Sequence, residues 1–161
     1  MTFEDRVEIA FSSRGLPTRL IGRIAPGCYS SDENEALWFA NRDWRELTWE
    51  DWEGHSDAIF RFTPEAFAYY LPSILIESRK DPDRWLKAAD ALVIMLENRS
   101  TPEKWNKYQA SNFEGFKVEE YAVLEEWLLF FRNRNTYNNA YDKERIDEAL
   151  RGVNSLRGLR G

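Results

Sequence analysis

Residues 60–76, Phe60-Arg-Phe-Thr-Pro-Glu-Ala-Phe-Ala-Tyr-Tyr-Leu-Pro-Ser-Ile-Leu-Ile76, set the terms for everything else this chain can fold into. Thr63-Pro64-Glu65 is a helix start in full: a capping hydroxyl, a proline at the first helical position, and an acid in the first turn. The residues that follow are apolar at 66, 67, 69, 70, 71, 74, 75 and 76, which goes right round a helix instead of down one side. A helix of that kind must be covered on most of its faces. Pro72 complicates it, because it lacks an amide donor and pushes on the carbonyl of Ala68; the expectation is a kink, or a break into two short helices.

The surrounding sequence supplies amphipathic helices to do the covering. Thr2 with Asp5 and Thr48 with Asp51 have the spacing of capping boxes. Ser31 or Asp32 can cap a helix ahead of Leu37, Trp38 and Phe39. Asp81-Pro82-Asp83 reads as a start for a stripe of Trp85, Ala88, Ala89, Leu92, Val93 and Leu96, and Thr101-Pro102-Glu103 as another. Val118, Tyr121, Leu124, Trp127, Leu128 and Phe131 recur at three and four, with Glu119, Glu120, Glu125 and Glu126 expected to face water. Asp142 can cap a last helix carrying Ile146, Ala149 and Leu150. Residues 16–29 read as an irregular connection with at most a short extended piece. The expectation is all-α: an irregular bundle of about six to seven helices around a buried, proline-kinked central helix at 64–78. It would form one domain over 1–151, followed by a frayed Gly/Arg-containing tail at 152–161.

Composition narrows the functions. The 161 residues carry a net charge of −6, which disfavours nucleic acid as a partner. No run approaches 18 apolar residues and no apolar signal region follows Met1, so the expectation is a cytoplasmic protein with no membrane contact. Cys28 is the single cysteine, read as a small buried residue in a reducing compartment. His55 is the single histidine, placed in a polar loop, and neither it nor Cys28 stands within a recognisable catalytic constellation. No metal or cofactor motif is present, so none is expected.

One surface rises above background. Residues 32–57 hold nine acids against Arg42 and Arg45, a net charge of −7, together with four of the seven tryptophans. Charge steers an encounter and tryptophan anchors it, so the candidate partner-binding set is Asp43, Trp44, Glu46, Trp49, Glu50, Asp51, Trp52 and Glu53, facing a basic protein. The plainer alternative is a solvated acidic face over buried rings. A second class of function is a small ligand-binding or enzymatic domain with a pocket beside Pro72, using Tyr69 and Tyr70. A third is self-association through exposed tryptophan.

The runs Ala36-Leu-Trp-Phe-Ala40, Asp43-Trp-Arg-Glu-Leu47 and Phe62-Thr-Pro-Glu-Ala-Phe-Ala-Tyr-Tyr-Leu-Pro-Ser-Ile-Leu75 resemble an uncharacterised bacterial family of small cytosolic domains of unknown function. The Thr101-Pro-Glu-Lys104 start and the Glu-Trp-Leu-Leu-Phe-Phe helix are similar to its C-terminal part. The resemblance implies kinship of fold and carries no activity and no site.

Overall fold

The computed structural model describes residues 1–23, 27–97, 111–134 and 142–158. Seven α-helices lie among them: α1 (Phe3–Ala10), α2 (Ser31–Leu37), α3 (Trp49–Gly54), α4 (Pro64–Lys80), α5 (Lys87–Glu97), α6 (Val118–Arg132) and α7 (Lys143–Gly158). Two 3-10 turns, Trp44–Glu46 and Ser56–Phe60, join the short helices before α4. The described residues contain no strand; Ile21 and Phe62 form an isolated antiparallel bridge. The all-α bundle expected from the sequence is the fold observed.

Helix α4 is the centre of it. Thr63 caps the helix, its Oγ1 accepting from the Ala66 amide at 3.2 Å, with Pro64 at the first position. Every residue from Ala66 to Ile76 is buried. The helix runs unbroken through Pro72 to Lys80, so the two-helix alternative does not occur. Helix α1, the Trp44–Glu46 turn, α3 and α5 pack around it. Burying a large apolar side chain stabilises by about 1.5–3 kcal/mol, so this one helix supplies much of the driving force.

Three hydroxyls of α4 are bonded from both sides of the molecule. The indole N–H of Trp52, on α3, donates to Ser73 Oγ at 2.8 Å. The indole N–H of Trp127, on α6, donates to Ser78 Oγ at 2.9 Å. The Tyr70 hydroxyl is shared between the carbonyls of Phe39 at 2.6 Å and Arg42 at 2.9 Å. A buried polar group without a partner would cost about 1–3 kcal/mol, so these bonds also fix which face of α4 meets which neighbour.

Aromatic rings fill the space on either side. Phe39, Trp52, Phe62 and Tyr70 meet at centroid distances of 4.7–5.4 Å. Phe67, Phe113, Phe116 and Tyr121 form a second group. Helix α7 closes the bundle against α5 and α6, tied by Arg145 to Asp90 and Glu97 and by Arg132 to Asp147.

Several local expectations hold. Both capping boxes form, Thr2 with Asp5 and Thr48 with Asp51. Asp142 accepts from the Glu144 amide at 2.8 Å at the start of α7. Others are corrected. The cap of α2 is Ser30, one residue early. Asp81 ends α4 instead of starting α5, which begins at Lys87, where Glu53 accepts the main-chain amide at 3.2 Å. Residues 81–84 form a turn, and Trp85 is left 43% exposed, off the stripe of Ala88, Ala89 and Leu92. Glu120 does not face water: it is 0% exposed, paired with Arg14, and accepts the Lys117 amide at 2.7 Å. Val118 is 76% exposed, although Glu120 and Tyr121 in the same first turn are buried. The tail does not fray at Gly152: α7 continues to Gly158 with Gly152, Val153 and Leu156 buried, in register with Ile146 and Ala149. Cys28 is exposed. The helix start at Thr101 and most of the Asn-rich loop lie outside the described residues.

Candidate functional site

The acidic, tryptophan-rich block folds into three short pieces whose rings point inward. Trp44 is 5% exposed and Trp52 is 0% exposed. Their burial follows from local chemistry. The Thr48–Asp51 box fixes the start of α3 so that Trp52 falls against α4, and Ser73 gives its indole N–H a partner. Neither ring can anchor a partner in this fold.

The half-buried rings of Trp38 and Trp49, and the buried ring of Trp44, are met by the chain's own arginines. Arg84 lies 3.7 Å over Trp49, Arg45 lies 4.6 Å over Trp44, and Arg42 lies 3.7 Å over Trp38. Trp38 also stacks on His55 at 4.2 Å and packs edge-on against Phe39 at 5.1 Å, which places the histidine in an aromatic turn and not in an open polar loop. A cation over an indole face is favourable by about 0.5–2 kcal/mol. The faces that a basic partner would seek are thus filled from within.

The acids of the block divide by task. Asp43 accepts the Arg45 amide at 2.9 Å, Asp51 the Thr48 amide at 2.9 Å, and Glu53 the Lys87 amide. These three hold helix and turn starts. Glu46 is exposed, and Glu50 is exposed with Arg84 at 3.9 Å. Of the eight residues expected to bind a partner, those two remain available at the surface.

A second acidic feature lies next to the block. Asp32 and Glu35 on α2 and Asp57 on the Ser56–Phe60 turn each offer a carboxylate oxygen within 4.8 Å of the others. The packing of α2 on that turn brings them together, and the Asp57 amide donates to Glu35 at 3.3 Å. Arg61 approaches Asp32 at 3.4 Å and offsets part of the charge. Three carboxylates at this spacing can accept ammonium or guanidinium groups, or hold a hydrated cation. Asp57 also lines a groove of about 180 Å3 between the turn and α5. Its apolar lining includes half-buried Phe60, Trp85 at 43% exposure and Ile94 at 38%. This pairing of an exposed tryptophan with converging carboxylates uses none of the eight residues expected to bind a partner. Trp85 was missed because its spacing to Ala88, Ala89 and Leu92 puts it on a helical stripe; the turn at 81–84 delays the helix and takes it off.

The alternative pocket beside Pro72 has no open site at its named residues. Tyr69, Tyr70 and Pro72 are all buried. Burial pushes the Tyr70 hydroxyl far above its ordinary 10.0, and that of Tyr69 upward as well, so neither is poised to give up a proton. The Tyr70 hydroxyl is committed to two carbonyls. Helix α4 is scaffold.

Among the described residues no helix is long and apolar enough to cross a membrane. No family model, no curated protein and no solved structure matches this chain, so its function is read from the geometry of the surface.

Proposed function

We propose that this is a non-enzymatic interaction protein that holds a basic protein partner against the Asp57 edge. The observation that carries the reading is the convergence of Asp32, Glu35 and Asp57 beside a groove with Trp85 on its wall. Carboxylates speed the approach of a basic surface and reject acidic ones, while an exposed aromatic ring in a groove provides the desolvated contact that slows dissociation. Glu46 and Glu50 are exposed as well and add to the net negative charge of residues 32–57. Neutralising a basic toxin, as an immunity protein or antitoxin does, is a role this chemistry fits.

The test is affinity capture from the native lysate with three baits: the wild-type chain, Glu35→Lys with Asp57→Lys, and Trp85→Ala. A stoichiometric basic partner should come down with the wild type. Its affinity, measured with purified components at about 0.1 M salt, should fall about ten-fold or more with the charge-reversed bait. Trp85→Ala should act chiefly on the dissociation rate. Glu46→Lys with Glu50→Lys separates the two acidic areas: a loss with this pair and none at 35 and 57 would move the site back to the tryptophan-rich block. Equal capture by all baits would rule out an acidic docking surface.

A further inference from the structure

We propose that the groove between residues 17–23 and the C-terminal end of α2 binds an amphipathic organic anion, a carboxylate or phosphate carried on an apolar body. The groove is open to solvent on one side and has a volume of about 760 Å3, within the range of about 300–1,000 Å3 that suits small molecules. Its lining combines Ile21 and Leu37 with Arg19, Arg23, Tyr29 and Asn41.

Charge is what identifies the ligand. Ten arginines of this chain have a carboxylate within 4.0 Å. Among the described residues Arg19, Arg23, Arg42 and Arg79 have none; Arg42 and Arg79 lie over the rings of Trp38, Phe3 and Phe130, whereas Arg19, which donates to Ile21 O at 3.5 Å, and Arg23 line this groove, and no acid lines it with them. Glu65, next to this segment, is committed to Thr18, accepting its amide and its hydroxyl at 3.0 Å. On a chain of net charge −6, a groove with two unneutralised guanidinium groups and no acid is a local reversal of sign. Guanidinium groups present forked donors that match a carboxylate or a phosphate.

The wall is also held in place. The Thr63 amide donates to Leu20 O at 2.8 Å and its hydroxyl to Arg19 O at 2.6 Å, so the extended segment is clamped to the start of α4. Asn41, at φ 62°, turns the chain at the opposite side. A pre-formed wall lowers the ordering cost of binding. This site shares no residue with the Asp57 edge and stands or falls independently of it.

The test is calorimetry of the full chain with decanoate, decyl phosphate and neutral decanol below their aggregation limits, with amide chemical shifts of Gly22 and Asn41 reporting location. One or both anions should bind at a single saturable site and move those amides, and decanol should bind at least ten-fold more weakly. Arg19→Ala with Arg23→Ala should weaken the anion about ten-fold and leave decanol unchanged, with far-UV circular dichroism confirming the fold. The tighter anion identifies the headgroup. Absence of saturable binding by either anion, decanol binding as tightly as decanoate, or full retention by the double variant would each overturn the proposal.

Discussion

Ser78→Ala tests how α4 is held. Trp127 is 0% exposed and its indole N–H donates to Ser78 Oγ at 2.9 Å, while the serine hydroxyl donates to Leu75 O at 3.2 Å. Alanine leaves the indole N–H buried and unpaired, at a cost of about 1–3 kcal/mol. Its better helix propensity returns about 0.5 kcal/mol. The expected net loss is about 0.5–2.5 kcal/mol, or roughly 1–10 °C in Tm for a chain of this size. Trp127→Phe removes the donor and leaves a void, costing on the order of 1–3 kcal/mol. With the donor gone, Ser78→Ala should add little, so the double variant is more stable than the sum of the singles predicts by about 1 kcal/mol. Urea unfolding followed by far-UV circular dichroism measures all four corners without relying on the substituted tryptophan. Additive costs, or a Ser78→Ala variant as stable as the wild type, would refute the claim that this bond pins α6 to α4.

Glu120→Ala strips the partner from Arg14 and the acceptor from the Lys117 amide at a fully buried position, and should cost about 3 kcal/mol in urea unfolding, with Glu120→Gln milder. Trp52→Ala should cost about 3–5 kcal/mol, whereas Trp85→Ala should stay within about 0.5 kcal/mol of the wild type, a contrast that thermal melts resolve. The main-chain amide and hydroxyl of Thr2 hold the Asp5 carboxyl below its ordinary 3.8. Its contribution to the start of α1 is therefore complete at neutral pH and is lost only as pH falls through that lowered value, which carboxyl-carbon NMR titration of wild type and Thr2→Ala will show as a difference in midpoint.

The parts of the fold visible in the sequence are those written in local chemistry. Thr63-Pro64 and the two Thr–Asp boxes state their own geometry within four residues, and the all-round apolar run of α4 demands a surrounding bundle. What could not be read depends on partners far along the chain. Glu120 looks like a solvent-facing acid until Arg14, 106 residues away, is placed beside it. The start of α5 depends on Glu53, 34 residues earlier. Gly152 looks like a terminator, yet burial of Val153 and Leu156 carries the helix past it. At the surface, the charge excess of residues 32–57 was legible and the orientation of its rings was not. Local capping turns Trp52 inward, arginines cover Trp38, Trp44 and Trp49, and the exposed tryptophan among the described residues is Trp85.

The docking surface is tested most directly by hydrogen exchange on the chain with and without its captured partner. Slowed exchange concentrated at residues 32–35, 56–60 and 85–94 is the predicted footprint. Slowed exchange confined to residues 43–53, or to no contiguous surface, would contradict it.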